Sequence, residues 1–101
     1  MTLPEGPVES LRAEAWLGDA VLELYVREWI IRHKGQIDAD MKTRFTCNQF
    51  LNNLGNPTRV EAQIGRIHSK QGLPAAWTWI QENIEPLFLL QEAKKKRLNK
   101  K

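Results

Sequence analysis

The stretch WLGDAVLELYVREWI, residues 16–30, constrains the fold more than any other part of this chain. At helical spacing it is apolar on nearly every side, so a helix here must be covered by other elements rather than lie on a surface. Leu17, Ala20, Val21, Leu24 and Glu28 share one face, and Leu22, Val26, Trp29 and Ile30 share another. Asp19, Glu23 and Arg27 form the one continuous polar row. Two residues in its first turn need a reason. A glycine inside a helix costs about 1 kcal/mol against alanine, which sets Gly18 apart. A carboxylate taken out of water needs a cation or a metal, which sets Asp19 apart. The reading is a central helix with one polar slot.

The rest of the chain is punctuated as helices. Ser10 is placed to cap the first helix and Gly35 to end it, with Arg32, His33 and Lys34 suiting its C-terminal dipole. A second helix is expected in DADMKTRFTCNQFLNNLG, capped by Asp38 or Asp40 and closed by Gly55. In NPTRVEAQIGRIHSKQG, Asn56 is the cap, Pro57 takes the first helical position and Gly72 follows the end. One or two more helices are expected in the remainder, interrupted near Pro86. No run alternates with period two and no repeat is present, so the fold class is all-α. A lead-in over 1–9, one domain over 10–92 and a basic tail over 93–101 complete the organisation.

Charge is distributed unevenly. The net charge is +3, but Lys94, Lys95, Lys96, Arg97, Lys100 and Lys101 outweigh a body with nine basic against twelve acidic residues. An acidic body with a basic end suits a protein that holds a cation in one place and a polyanion in another. Cys47, the single cysteine, excludes an internal disulfide. No stretch of about 18 apolar residues is present, so the expectation is a cytoplasmic protein without a membrane partner.

The chemistry-bearing pattern spans two helices. Glu61, Gly65 and His68 follow one another at i, i+4, i+7 beside Val60, Ile64 and Ile67. Each of the two helices thus carries an acid close to a glycine, and glycines let helix backbones approach. Converging carboxylates are hard oxygen ligands, and Mg²⁺ typically takes one or two of them while keeping several waters. The ordinary alternative is that Asp19 pairs with Arg12, Arg59 or Arg66.

AEAWLGDAVLELYVREWI resembles the signature helix of the ribonuclease III family, in which leucine-glycine-aspartate leads to alanine-valine. DMKTRFTCNQFL is similar to the next helix of that family, and TRVEAQIGRI to its second acidic motif, with Glu61 and Gly65 in register. GLPAAWTWIQENIEPLF resembles its closing helix. The likeness spans about residues 12 to 88 in sequence order. It implies a ribonuclease III-like domain acting as a homodimer on double-stranded or structured RNA, such as ribosomal RNA precursors. It also implies Asp19 and Glu61 as the catalytic acids that hold Mg²⁺, with Mn²⁺ as a substitute. Two further acids of the full-length enzymes are replaced here by Ala15 and Thr58, a pattern similar to the compact Mini-ribonuclease III branch. Only 41 residues lie between Asp19 and Glu61, fewer than the family usually has.

Other residues take supporting expectations. Glu23, Glu14 and His68 are candidates for a shell around the acids. Lys42, Arg44, Arg59, Arg66, Lys70, Lys94, Lys95, Lys96 and Arg97 are the cations available for RNA phosphates. Trp16, Trp29, Trp77 and Trp79 are many large rings for so small a core, and some are expected at a two-fold interface. The rival readings are a catalytically degenerate ribonuclease III-fold protein that binds RNA or the ribosome, and a helical dimerisation module.

Overall fold

In the computed structural model, which describes residues 6–99, the chain folds into six helices. They are α1 (Pro7–Lys34), α2 (Ala39–Thr46), α3 (Asn48–Leu51), α4 (Pro57–Gln71), α5 (Leu73–Asn83) and α6 (Glu85–Asn99). No strand occurs among the described residues, so the all-α expectation holds. No helix among them is long and apolar enough to cross a membrane.

Local chemistry sets most of the boundaries. Pro7, with no N–H to satisfy, opens α1, and Gly35 closes it in the left-handed conformation at φ 72°, donating its N–H to the Ile31 carbonyl. The helix therefore begins one turn before the expected cap. Residues 7–9, expected as lead-in, form its first turn, and Ser10 sits inside the helix and donates to Glu14 at 3.4 Å. Asp38 caps α2 by accepting from the Met41 N–H at 2.9 Å. The single helix expected over 38–54 is broken, because Cys47 takes an extended backbone between α2 and α3. Asn56 accepts from the Arg59 N–H at 3.1 Å and Pro57 opens α4, as expected. Pro86 lies in the first turn of α6, where proline is tolerated. That helix carries the basic segment through Asn99, so most of the expected tail is helical; Lys100 and Lys101 lie outside the described residues.

Packing centres on an aromatic cluster contributed by four helices. The rings of Phe45 and Phe88 stack at 3.9 Å, with Trp29 and Phe50 edge-on to both. Leu22, Val26, Leu51, Ile64, Ile80 and Ile84 fill the remaining core. Burying side chains of this size contributes about 1.5–3 kcal/mol each, which fixes α1 and α4 against the rest. Tyr25 donates a hydrogen bond to Glu85 and ties α1 to the start of α6.

The central helix is covered on one side only. Val21, Leu22, Tyr25, Val26, Trp29 and Ile30 are buried, whereas Trp16, Ala20, Leu24 and Glu28 are exposed. The face expected to carry Leu17, Ala20, Val21 and Leu24 inward delivers only Val21 to the core.

Candidate functional site

The candidate site grows from the crossing of α1 and α4. A Cβ added to Gly18 would lie 1.7 Å from the Glu61 carbonyl oxygen, and one added to Gly65 would lie 1.8 Å from that of Glu14. Both glycines are occupied by the opposing backbone, and no side chain fits at either. Since Gly18 faces Glu61 while Gly65 faces Glu14, the helices run antiparallel. At this spacing, carbonyl oxygens can accept weak hydrogen bonds from the glycine Cα–H groups.

This close crossing brings the two acids together. Asp19 follows Gly18, Glu61 supplies the carbonyl that Gly18 accommodates, and their carboxyl groups come within hydrogen-bonding reach. Glu61 is half-buried and Asp19 exposed. Burial raises the Glu61 carboxyl first, and the Asp19 and Glu23 carboxylates add to it, so that Glu61 is pushed up to about 8. Without a cation Glu61 holds a proton at neutral pH and hydrogen-bonds to Asp19. Asp19 makes no ion pair among the described residues, so the arginine alternative is not realised.

Glu23 is the third acid of the neighbourhood. Lys42 donates to it at 3.2 Å from α2, and Arg27 at 3.3 Å from one turn along α1. Its carboxylate is thus paired with two cations. Among the described residues no group of three or more His, Cys, Asp or Glu side chains is gathered for a metal ion. The donor set is two carboxyl groups, one exposed, with open solvent for the other ligands. That composition fits a hard cation holding much of its water.

Two supporting expectations take other positions. Glu14 is buried with its side chain 6% exposed, and Arg66 holds it at 2.6 and 3.4 Å. That guanidinium keeps the Glu14 carboxyl below the usual carboxylate range. Glu14 therefore serves as an anchor between α1 and α4 and does not swing to the acid pair. His68 lies two turns beyond Glu61 on α4, about 10 Å along the axis, and its Nδ1 is buried without a partner.

The expected RNA-contacting cations divide into two groups. Lys42 is held by Glu23, Arg66 by Glu14, and Arg44 by a two-pronged pair to Glu92 at 2.9 and 3.0 Å. Arg59, Lys70, Lys94, Lys95, Lys96 and Arg97 are exposed and make no ion pair among the described residues. The pairs missed by sequence reasoning, Lys42 with Glu23, Arg44 with Glu92 and Arg66 with Glu14, join residues 19, 48 and 52 positions apart. No local spacing signals such pairs.

No family model, curated protein or solved structure matches the chain.

Proposed function

We propose that the chain is a Mg²⁺-dependent endoribonuclease acting on double-stranded or structured RNA, with ribosomal RNA precursors as a candidate substrate. The observation that carries this reading is the meeting of Asp19 and Glu61 across the Gly18–Gly65 crossing. The resemblance of four ordered motifs to the ribonuclease III family, nearest its compact Mini-ribonuclease III branch, supports it. On the same resemblance the working unit is a homodimer.

Asp19 and Glu61 would hold the ion, with Mn²⁺ as a substitute. A bound divalent cation lowers the pKa of its water and steadies charge on a phosphoryl oxygen. Asp19 is exposed, and Glu61 would have to lose its proton to serve as a ligand. Glu23, paired with Lys42 and Arg27, stands beside the pair and adds to the negative field at Glu61. The exposed cations on α4 and α6 supply sequence-independent phosphate contacts of the kind an A-form duplex accepts.

Purified protein and duplex RNA test the reading. Mg²⁺-dependent cutting is expected from the wild type, and its loss from Asp19→Asn and Glu61→Gln with helical content unchanged. Wild-type cutting by either variant contradicts the assignment. A second reading is a non-catalytic RNA-binding or ribosome-associated protein on the same fold. The two-carboxylate donor set, with no third ligand gathered among the described residues, favours it. It predicts RNA binding without any Mg²⁺-linked stabilisation.

A further inference from the structure

The C-terminal half of α1, helix α5 and the first residue of α6 enclose a cleft of about 610 Å³, a size usual for small-molecule sites. It takes in neither Asp19 nor Glu61. Tyr25, Trp29 and Trp77 form its walls, with Tyr25 and Trp77 edge to face at a ring separation of 6.0 Å. His33 stacks on Trp29 at 4.2 Å and donates from Nδ1 to the Trp29 carbonyl at 2.8 Å, which fixes a further ring beside them. The indole N–H groups of Trp29 and Trp77 are buried without a partner, and Trp29 as a whole is only 7% exposed. Buried donors are nearly always paired, and both of these belong to residues that line the cleft.

Charge at the rim narrows the ligand. Arg32 is exposed and makes no ion pair among the described residues. Its charge reaches the wall of the cleft, where it opposes the burial and the Glu85 carboxylate that push the Tyr25 hydroxyl up. Glu85 accepts from Tyr25 through Oε1, which leaves Oε2 for another donor. Arg32 stands two turns beyond Tyr25 on α1, about 10 Å along the axis. Flat walls alone would take any apolar ring, and a guanidinium alone any anion. A planar ring that offers an amino group at one end and, a sugar's length away, a phosphate at the other meets all of these features.

We propose that the cleft binds a nucleoside monophosphate unit, with its base against the aromatic walls, its phosphate on Arg32 and an amino group of the base on Glu85. The unit comes either as a free mononucleotide or as the unpaired end of an RNA strand, and the chemistry of the contact is the same. The site is separate from the acid pair and does not depend on the nuclease reading.

Titrating adenosine monophosphate into the full chain, with the indole N–H resonances of the four tryptophans followed by NMR, tests the cleft. The Trp29 and Trp77 signals are expected to shift, while those of Trp16, which is 79% exposed, and Trp79 stay in place. Arg32→Gln should weaken binding about tenfold, as loss of one charge-assisted hydrogen bond does. Gln81 is exposed and lines the cleft, so Gln81→Trp should fill the space and abolish binding with helical content unchanged. Inorganic phosphate should leave both cleft indoles unmoved. A duplex RNA with one unpaired 3′ adenosine, compared with its blunt counterpart, identifies the source. Tighter binding of the overhang by the wild type but not by Gln81→Trp supports a strand end, and equal binding alongside a response to the mononucleotide supports the free form. No response to either probe overturns the proposal, as do equal shifts of Trp16, the same shifts with phosphate alone, or binding that survives Gln81→Trp. Mg²⁺-dependent cutting is scored separately, and neither result decides the other.

Discussion

The carbonyl oxygen of Glu61 occupies the place where Gly18 would carry a Cβ, 1.7 Å from its ideal position. Helix propensity alone favours alanine at Gly18 by about 1 kcal/mol. The contact reverses that preference, because the atom in the way is backbone and cannot rotate aside. Gly18→Ala is expected to destabilise the protein by about 3 kcal/mol, at the upper end for overpacking, with Gly65→Ala similar. Urea denaturation measures it, and an unchanged or raised midpoint contradicts the crossing. Either substitution should also abolish cation binding, since it forces apart the helices that carry the acids.

Stability should depend on pH through Glu61. Its folded value of about 8 stands above the usual 4.5. The stabilisation from the Glu61 proton is therefore complete below about pH 4.5 and is lost as pH rises through 8. In the metal-free protein, the wild type should weaken relative to Glu61→Gln between pH 6 and pH 9. Mg²⁺ should stabilise the wild type more at pH 9 than at pH 6, where it must displace a proton. Thermal unfolding across this range measures both, and a pH-independent difference between the two proteins contradicts the proton held on Glu61.

The Glu14–Arg66 pair carries the opposite sign. Arg66, first through its hydrogen bond, lowers the Glu14 carboxyl from its usual value. The stabilisation is present above about pH 4.5 and disappears as pH falls through the depressed value. Arg66→Ala leaves Glu14 buried without a cation and should lower the melting temperature at pH 7. The deficit should shrink toward pH 3. A deficit constant with pH contradicts the pairing.

Tyr25→Phe removes the hydroxyl that donates to Glu85. It is expected to cost about 1 kcal/mol, the worth of one such hydrogen bond, without altering cation binding. Chemical denaturation together with a Mn²⁺ titration tests both parts.

The residues of α4 were legible because its signals are local: Asn56, Pro57 and Gly72 each act within one turn. The acid pair was legible through its glycines, which have no use in a helix except to admit a neighbour. Cys47 gave no warning of the break between α2 and α3, since its side chain neither caps nor excludes a helix. The Glu14–Arg66 and Lys42–Glu23 pairs depend on where packing leaves long side chains, which spacing does not encode. The apolar wrap of α1 was read as a central helix covered by other elements, with some of the tryptophans at a two-fold interface; Trp16, Leu24 and Ile31 face outward. Periodicity reports which faces avoid water and is silent on what covers them.

Counting bound Mn²⁺ by calorimetry on the wild type, Asp19→Asn and Glu61→Gln probes the central relationship most directly. One ion per chain is expected in the wild type, with loss of binding in both variants and competition by Mg²⁺. Absence of binding to the wild type, or an ion retained at undiminished affinity when either carboxylate is neutralised, contradicts the account.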